Sequence, residues 1–227
     1  MNRIGIVAAL PSELRPLTRE WTRHGSTFQG RIGSIDAVAA SAGMGAKAVT
    51  RACHLVLAAT TPDAPFDALA SIGYAGSASC GLRAPEAVAI REVIDARTGE
   101  RFSTEQVDGQ RLVTLDHVAS PEEKRRLAET YQAVLVDMEA AAVARVARTV
   151  GLSFLCFKAV TDGPNDTLPD FNRFLRDDGR LRMIALVLYA LLHPRYWAPL
   201  RELGQNSRAA ALELANFIPR SLPGSVI

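Results

Sequence analysis

The amino-acid sequence predicts an α/β protein, and three features of the chain carry that prediction. Residues 134–162 are typical of a strand, a helix and a second strand, with apolar runs from Ala133 to Val136 and from Phe154 to Val160 around an alanine-rich segment. Residues 3–10 form another apolar run, which fits a strand buried on both faces. Of the 227 residues, 48% are hydrophobic and 22% are charged, as in an ordinary globular protein. No repeat or linker divides the chain, so we expect one domain over residues 1–227.

Charge and cysteine usage narrow the classes of partner. The formal net charge is +2 and the basic residues are scattered, so we expect no nucleic-acid partner. Cys53, Cys80 and Cys156 have no CxxC spacing, which predicts reduced thiols rather than disulfides or metal ligands. Met1 leads almost directly into a strand without a signal-peptide pattern, and the apolar run Met183–Leu192 is about half as long as a membrane-spanning helix. We therefore expect a cytoplasmic protein without a metal.

Turn and capping signals place the other elements. Ser120, Pro121 and Glu123 have the pattern of a capped helix start. Residues 98–109 are polar and predict a surface loop or hairpin. The remaining predicted elements are a helix from Pro11 towards Trp21, two strands within 26–42, a helix from the Gly45 turn to about Ala59, strands at Leu69–Ile72, Ala87–Ala96 and Arg111–Leu115, a helix from Pro121 to about Tyr131, a helix after Glu139, and helices at about Phe171–Leu192 and Ala198–Phe217.

Acidic residues follow three of the predicted strands. Glu13 comes after the first strand, Asp137 and Glu139 end the second strand of this set, and Asp162 ends the third. If the last two strands are parallel neighbours, their carboxylates converge on one crevice. Each acid also has a purely structural interpretation: Glu13 and Glu139 as acids at a helix start, and Asp162 as a cap of the loop that follows.

Two glycine-rich stretches follow predicted strands. Residues 43–48 read GMGAKA before a helix, an arrangement that suits an anion and that matches the dinucleotide pattern GxGxxA. That pattern normally follows the first strand, whereas this turn follows the third, and Asp63 and Asp67 fall in a loop with proline. Residues 73–77 indicate either close approach of a ligand or a neighbouring element to the backbone, or a plain turn.

Three further patterns concern burial. If its strand stays regular, Lys158 shares one side with Val160 and Asp162, and a charge inside an apolar strand requires a partner; a structural ion pair is favoured over a catalytic role. The helix after Glu139 has a predicted apolar stripe made of Ala142, Val143, Val146 and Val150. The run Met183–Leu192 favours core or subunit interface over a lipid-facing surface.

Five motifs in this order resemble one enzyme superfamily. They are the first strand with Glu13, SAGMGAKA at 41–48, SIGYAGS at 71–77, VDMEAAAVA at 136–144 and KAVTD at 158–162. Over residues 3–165 the chain resembles the purine nucleoside phosphorylase and methylthioadenosine/S-adenosylhomocysteine nucleosidase superfamily. The tail is similar to the hopanoid-associated phosphorylase subgroup, which acts on adenosylhopane.

The resemblance implies a three-layer α/β/α sandwich with a central mixed sheet, usually assembled as a homodimer or a larger homo-oligomer. It implies cleavage of the N-glycosidic bond of a purine nucleoside, with adenine as the expected base, by phosphate or water. It implies no cofactor other than phosphate as a possible co-substrate. A lipid substrate would also bring loose membrane contact.

The resemblance also implies a role for each site residue. Asp162 would hold a proton for N7 of the base, Glu139 would accept hydrogen bonds from the ribose hydroxyls, and Glu13 would position or deprotonate water. Met138 would pack on the sugar, and His117 with Val118 would contact the base. Residues expected to line the nucleophile and ribose side are Gly43, Gly45, Gly73, Tyr74, Ala75 and Gly76.

Departures from the family leave the acceptor open. Phosphorylases of this superfamily hold phosphate with arginines and a serine, one arginine lying before the Gly-Ser turn, where this chain has Ser71 and, in the turn, Tyr74. Arg15 or an arginine of a partner subunit is the alternative clamp. Two other functional classes stay open at this stage: a dinucleotide-binding oxidoreductase, and a non-catalytic nucleoside- or lipid-binding protein.

Overall fold

The computed structural model describes residues 1–166, 168–174, 176, 178–179 and 182–222, with Met183 described by its backbone alone. Two 3-10 helices, Phe171–Phe174 and Pro194–Tyr196, accompany the regular elements. In chain order the regular elements are β1 (Arg3–Ala8), α1 (Pro11–Leu14), β2 (Thr22–His24), β3 (Thr27–Ile32), β4 (Ile35–Ser41), α2 (Ala46–Leu57), β5 (Ala68–Ser77), β6 (Ala87–Asp95), β7 (Arg101–Ser103), β8 (Gln110–Thr114), α3 (Pro121–Tyr131), β9 (Leu135–Asp137), α4 (Ala140–Val150), β10 (Ser153–Asp162), α5 (Met183–Leu192) and α6 (Trp197–Ser221).

The ten strands belong to one mixed sheet built around β5. On one side β5 pairs in parallel with β1, which pairs in parallel with β4, and the antiparallel strands β3 and β2 extend that edge. On its other side β5 pairs in parallel with β10 along nearly its whole length. These strands carry buried apolar side chains on both faces, as expected for strands that helices cover on each side.

Part of the sheet closes on itself. Strand β10 pairs with β6, β6 with β8, β8 with β9, and β9 returns to the last residues of β5, where Gly76 lies opposite Val136. The expectation that β9 and β10 are parallel neighbours is therefore wrong, because each pairs with β5 instead. Their ends still meet, since both strands reach the carboxyl end of the same long strand.

Helices cover both faces and confirm the predicted three-layer architecture. Helices α2 and α4 pack over one face, where their buried residues include Val49, Cys53 and Val143. Helices α1 and α6 pack over the other face through Leu14 and Leu214. Burial raises the pKa of the free Cys53 thiol to about 12, so this cysteine is an unreactive core residue, as predicted.

Several predicted boundaries are wrong for identifiable reasons. Helix α1 ends at Leu14 rather than near Trp21, because Pro16 has no N–H to continue the helix. Residues 73–77 continue β5 instead of forming a turn, since β10 and β9 supply hydrogen-bond partners there. The predicted stripe on α4 stops before Val150, which is 48% exposed.

The predicted helix over 171–192 is divided. Residues 171–174 form a 3-10 helix and α5 begins at Met183; residues 167, 175, 177, 180 and 181 lie outside the described part of the chain. The run Met183–Leu192 was expected to be core or subunit interface; Ile184 and Leu192 are about four-fifths exposed, so they are not core of this chain, and the subunit-interface alternative stays a prediction. Among the described helices, none combines the length and apolar character needed to cross a membrane.

Candidate active site

A cavity of about 330 Å³ lies where β1, β5, β9 and β10 end, and its size suits a small organic ligand. These ends bring together residues that are far apart in sequence. The predicted site residues that line the cavity are Glu13, Tyr74, Ala75, Gly76, His117, Val118, Met138, Glu139 and Asp162. Gly43, Gly45 and Gly73 are not among the lining residues. Gly43 and Gly45 form backbone hydrogen bonds within the protein, and Gly73 leaves room for the Glu13 side chain.

Glu13 is held in place by backbone N–H groups just after β1 and within β5. Its side chain is buried, with Oε2 2.6 Å from the Leu10 nitrogen and Oε1 2.9 Å from the Tyr74 nitrogen. Burial raises the pKa of the Glu13 carboxyl, and the two N–H donors oppose that rise. A carboxyl with a raised pKa is a stronger base when ionised, which suits it to accept a proton from water.

Gly73 makes room for this carboxylate. A Cβ atom at position 73 would lie 2.6 Å from Glu13 Oε1, and the backbone there has a φ of +151°. The small residues of β5 therefore allow a neighbouring side chain, not only a ligand, to approach the strand.

Glu139 lies at the start of α4 and is fixed from two directions. Its Oε1 accepts a hydrogen bond from the Gly45 nitrogen at 2.7 Å, and its Oε2 accepts one from the Met138 nitrogen at 3.2 Å. Burial raises the pKa of Glu139 to about 7, and the neighbouring Asp137 carboxylate adds to that rise, whereas Lys158 and the Gly45 N–H oppose it. Both oxygens keep lone pairs for a ligand, because a carboxylate has about four acceptor positions.

The glycine turn before α2 binds groups of the protein itself. The Gly43 nitrogen donates to the Ala9 carbonyl at 2.9 Å, the Met44 nitrogen donates to the Gly179 carbonyl at 2.8 Å, and the Gly45 nitrogen donates to Glu139. The N–H groups that would hold a pyrophosphate are therefore already bound. This arrangement disfavours the dinucleotide interpretation of GMGAKA.

Asp162 is turned towards the cavity by a β-bulge. Val160 lies opposite Ala75, yet Asp162 lies opposite Gly76, so one extra residue of β10 occupies that interval. The sequence interpretation assumed regular side-chain alternation up to Asp162. That assumption is wrong between Val160 and Asp162, because a bulge redirects the side chain that follows it. The Asp162 carboxylate accepts a hydrogen bond from the Thr161 hydroxyl at 2.9 Å.

Lys124 is a charged side chain of the cavity that sequence reasoning missed. Its ammonium group forms an ion pair with Asp162 Oδ2 and lies 2.8 Å from the Gly163 carbonyl oxygen. Lys124 and Leu127 are the buried residues of α3. Their spacing of three places both on one helical face, and this was the available signal. The sequence interpretation counted Lys124 only among the scattered basic residues.

Lys158 forms the structural ion pair that the sequence favoured. Its Nζ lies 2.8 Å from Asp137 Oδ2 and 3.3 Å from the Ser71 hydroxyl. Asp137 also accepts hydrogen bonds from the Thr114 hydroxyl and the Ala140 nitrogen, at 2.6 and 2.9 Å. Asp137 borders the cavity, but its carboxylate is already engaged by these protein groups. Of Asp137 and Glu139, Glu139 therefore keeps acceptor positions for a ligand.

His117 and Val118 border the cavity before α3. The two ring nitrogens of His117 lie 2.7 Å from Asp116 Oδ1 and 2.8 Å from Glu123 Oε2. The hydrogen bond to Asp116, reinforced by Glu123, raises the pKa of His117. The predicted cap at Ser120 is present, since its hydroxyl accepts from the Glu123 nitrogen at 3.2 Å. The Glu123 side chain binds His117 instead of closing the capping box.

The rest of the cavity wall is largely apolar. None of these side chains was predicted, because a sequence gives no direct sign of which apolar residues face a cavity. They are Leu10, Met44, Leu115, Leu168, Phe171 and Leu203.

Comparisons with known proteins agree with this architecture. Residues 97–191 match the family model described as the phosphorylase superfamily. No curated protein matches the chain in sequence.

Several solved structures share the fold over nearly the whole chain at low identity. A 5′-methylthioadenosine/S-adenosylhomocysteine nucleosidase from Helicobacter pylori is 15% identical, with a TM-score of 0.67 over 96% of this chain and 97% of that one. The corresponding nucleosidase from S. pneumoniae is 18% identical, with a TM-score of 0.68 over 96% of each chain. The futalosine hydrolase of Helicobacter pylori is 15% identical, with a TM-score of 0.66 over 96% of this chain and 95% of that one.

The family model and the shared fold bear on different parts of the prediction. The structural likeness confirms the nucleoside phosphorylase-like fold, and the family match supports the predicted class of enzyme, a nucleoside phosphorylase or nucleosidase. The predicted resemblance of this chain to the purine nucleoside phosphorylase and methylthioadenosine/S-adenosylhomocysteine nucleosidase superfamily is thereby confirmed.

Proposed function

We propose that the protein hydrolyses the N-glycosidic bond of an adenine nucleoside that carries an apolar 5′ substituent. The observation that carries this proposal is the meeting of Glu13, Glu139 and Asp162 around one cavity, with Lys124 bound to Asp162. In the reaction the C1′–N9 bond breaks and its electron pair leaves with the purine. Water forms the new C1′–O bond.

The base leaves more easily when N7 receives a proton. Asp162 faces the cavity in contact with the Lys124 ammonium, so the pair contains a proton next to the cavity. A proton of the Lys124 ammonium group passes through Asp162 to N7, and the proton that Glu13 takes from the attacking water restores the pair after the products leave. General acid catalysis of this kind contributes roughly 10²–10⁴-fold to a rate.

The sugar develops positive charge as the bond breaks. Glu139 is anchored by Gly45 and Met138, so its carboxylate is positioned to accept hydrogen bonds from the 2′ and 3′ hydroxyls. A fixed negative group beside the ribosyl ring stabilises the oxocarbenium-like transition state electrostatically. Met138 lines the cavity next to Glu139 and packs on the sugar.

The charges of the cavity favour water over phosphate as the acceptor. Glu13 and Glu139 both face the space beside the sugar, and a phosphate dianion placed there would be repelled by either carboxylate when ionised. Ser71, which stands where the family has an arginine, is buried against Lys158, and Arg15, one of the two alternative clamps, is exposed outside the lining. Glu13 accepts the proton of the attacking water.

The backbone of Val118 fits the pairing edge of adenine. Its N–H donates to the Asn172 side-chain oxygen at 2.8 Å, and its carbonyl accepts from the Asn172 amide at 3.2 Å. Adenine offers the same combination, an acceptor at N1 and a donor at N6, whereas hypoxanthine in the same orientation offers the reverse. Adenine would therefore replace Asn172 on Val118, and Asn172→Ala should lower KM for adenosine several-fold while leaving KM for inosine unchanged.

The apolar wall supports an apolar 5′ group. Met44, Leu168 and Phe171 line the cavity together with Leu10 and Leu203. A nucleosidase of the same fold, from Helicobacter pylori, was solved with butyl-thio-DADMe-Immucillin-A, a compound that carries an apolar butylthio group. Adenosylhopane is the most apolar substrate that we propose, on the resemblance of the tail to hopanoid-associated phosphorylases. A homo-oligomer and a cytoplasmic location are parts of the same proposal, carried by that family resemblance.

Product analysis tests the reaction. We would incubate the protein with adenosine, methylthioadenosine and a 5′-alkyl adenosine, with and without phosphate, and measure adenine and the sugar product. We expect adenine and free sugar without phosphate, with kcat/KM rising from adenosine to the alkyl compound. Formation of a sugar 1-phosphate would contradict hydrolysis, and the absence of base release would leave the binding-protein alternative.

A matched pair of variants tests the site. Asp162→Asn should lower base release by roughly 10³-fold because the carboxyl no longer transfers a proton. Asp36→Asn, in an exposed ion pair at the start of β4, should retain full activity. Unchanged activity of Asp162→Asn would contradict the proposed role of this residue.

A further inference from the structure

Helix α5 presents an apolar surface to solvent. The side chains that form this α5 surface are Ile184, Val187, Leu188, Leu191 and Leu192, and each is at least half exposed. Positions 184, 187, 188 and 191 follow the helical spacing of one face. Scattered exposed leucines are normal, but a continuous face of this kind marks a contact site.

The chain around the α5 surface is basic and lacks acids. Between Asp178 and Glu202 the sequence contains four arginines and no aspartate or glutamate; the arginines are Arg180, Arg182, Arg195 and Arg201. The three within the described residues, at 182, 195 and 201, are exposed, and none forms an ion pair with a described carboxylate. The apolar surface is therefore flanked by positive charge.

Aromatic residues lie at the end of the same surface. Trp197 is 55% exposed, and its indole N–H donates a hydrogen bond to the Ala190 carbonyl at 2.7 Å. The guanidinium carbon of Arg195 lies over the Tyr196 ring, 4.7 Å from the ring centroid. Tryptophan and tyrosine rings of this kind are enriched at the headgroup level of membranes, where one side is apolar and the other wet.

We propose that the α5 surface binds the surface of an anionic lipid bilayer. The helix lies parallel to the membrane with its apolar face at the boundary between headgroups and acyl chains, while the flanking arginines contact lipid phosphates. Its ten residues span about 15 Å, which suits an interfacial helix and not a spanning one. The apolar face supplies burial, and the arginines supply attraction to anionic lipid.

A second copy of the chain fits this surface less well. In a two-fold contact the same patch meets itself, so the arginines at 182, 195 and 201 would face their own copies. No acid between 179 and 201 is present in the sequence to compensate these charges. An anionic lipid surface provides the opposite charge, so it matches both the apolar face and its basic rim.

The α5 surface is also connected to the wall of the cavity. Tyr189 of α5 packs on Phe174, with 5.4 Å between ring centroids, and Phe171 of the same 3-10 helix lines the cavity. Membrane binding would therefore place that wall near the lipid. The proposal itself does not depend on the reaction, so its test needs no substrate.

Vesicle sedimentation of the full-length protein tests the proposal. We would compare vesicles of phosphatidylcholine with vesicles that also contain phosphatidylglycerol, at low and high salt. We expect partition into the anionic vesicles to be at least about tenfold stronger, and to weaken at high salt because exposed charges are screened. Equal binding to both vesicle types, or binding to neither, would overturn the proposal.

Matched variants separate the surface from general stickiness. Leu188→Glu and Arg182→Glu should each lower partition into anionic vesicles about fivefold or more. Leu212→Glu is the control, because Leu212 lies on α6 with an exposure of 55% against 57% for Leu188. Circular dichroism and Tm would verify that the exposed substitutions leave the fold intact. Equal losses in the control would overturn the proposal.

Light scattering provides the competing outcome. We expect the mass of the wild-type protein in solution to be unchanged by Leu188→Glu, since any oligomer uses another surface. A wild-type oligomer that Leu188→Glu dissociates would show that a second copy covers α5, and this result would overturn membrane binding.

Discussion

Two lysine–aspartate pairs lie near the same strand ends and differ in what surrounds them. In the pair of Lys158 with Asp137, the side chains are 1% and 0% exposed, and further hydrogen bonds hold both partners. In the pair of Lys124 with Asp162, the side chains are 5% and 15% exposed, and both residues line the cavity. Asp137 also borders the cavity, but its carboxylate is fully covered by protein groups, whereas the Asp162 carboxylate is partly open to the space that a ligand can enter.

Under the proposed function, this difference separates a structural role from a chemical one. A fully enclosed charge depends on its partner because no water can replace it. A charge beside a cavity exchanges partners with a ligand, which is a requirement for proton transfer. Four variants test whether the two pairs divide in this way, from the largest expected effect to the smallest.

Lys158→Met should produce the largest loss of stability. The Asp137 carboxylate would remain buried without its ammonium partner, and breaking such a pair typically costs about 3–5 kcal/mol. Urea unfolding at neutral pH measures the free energy of unfolding. Arg31→Met removes an exposed pair with Asp36 and should cost at most about 1 kcal/mol. A similar small loss for Lys158→Met would contradict the structural role.

The pH dependence of stability tests Glu139, which interacts with both members of the enclosed pair. Burial raises its pKa to about 7 in the folded protein, above the ordinary value of 4.5. Between these values the folded state binds more protons than the unfolded state, so the free energy of unfolding falls as pH rises. The fall is on the order of 3 kcal/mol, because one pKa unit corresponds to about 1.4 kcal/mol.

Glu139→Gln should remove this part of the pH dependence. The glutamine keeps an acceptor for the Gly45 N–H but has no proton to lose. Urea unfolding of both proteins from pH 4.5 to pH 7 measures the difference. Glu129→Gln, at an exposed position of α3, is the control and should keep the wild-type slope. An unchanged slope in Glu139→Gln would show that another group titrates.

Lys124→Met should affect activity more than stability. We expect kcat for base release to fall about 100-fold, equivalent to about 2.7 kcal/mol, because Asp162 loses its source of a proton. Water in the cavity replaces the ammonium, so the free energy of unfolding should change by less than about 1 kcal/mol.

The pH profile of kcat distinguishes this role from a packing defect, because loss of the proton source should change the basic limb. Arg125→Met, at the exposed neighbouring position, should leave that profile unchanged. A large loss of stability with a wild-type pH profile would instead assign Lys124 a structural role.

Gly76→Ala should have the smallest effect. The added Cβ would lie 2.9 Å from Asp162 Oδ2 and 3.0 Å from Lys124 Nζ, so this pair must shift within the cavity wall. We expect kcat to fall about tenfold, or about 1.4 kcal/mol, with little change in Tm. Gly81→Ala is the control, because its Cβ would meet only Ser79 at 3.8 Å. Equal kinetics in the two variants would show that the pair tolerates displacement.

Local patterns predicted much of this molecule correctly. The strand and helix types followed from apolar periodicity, the start of α3 followed from Ser120 and Pro121, and the ion pair of Lys158 followed from its place in an apolar strand. These features depend on neighbours in sequence or on the cost of burying a charge. The candidate acids line one cavity, although the condition given for their convergence, parallel neighbouring strands, is not met.

Other features depended on contacts between distant residues. The small residues 73–77 gave the pattern of a turn, yet β9 and β10 keep them in a strand. Lys124 gave no sign of its partner, because Asp162 is 38 residues away and reaches it only through the bulge in β10. The exposure of α5 also required the structure, since an apolar run in sequence does not reveal what covers it.

The sequence by itself determined the α/β class, the family resemblance and the acids that follow the strands, because periodicity and residue order are properties of the chain alone. Only the tertiary structure decided the pairing of those acids. In the folded protein Lys158 forms an ion pair with Asp137, Glu139 accepts a hydrogen bond from the N–H of Gly45, and Lys124 forms an ion pair with Asp162. The physical reason is that charge pairing acts over a few ångströms, and closure of the sheet around β5 sets those distances.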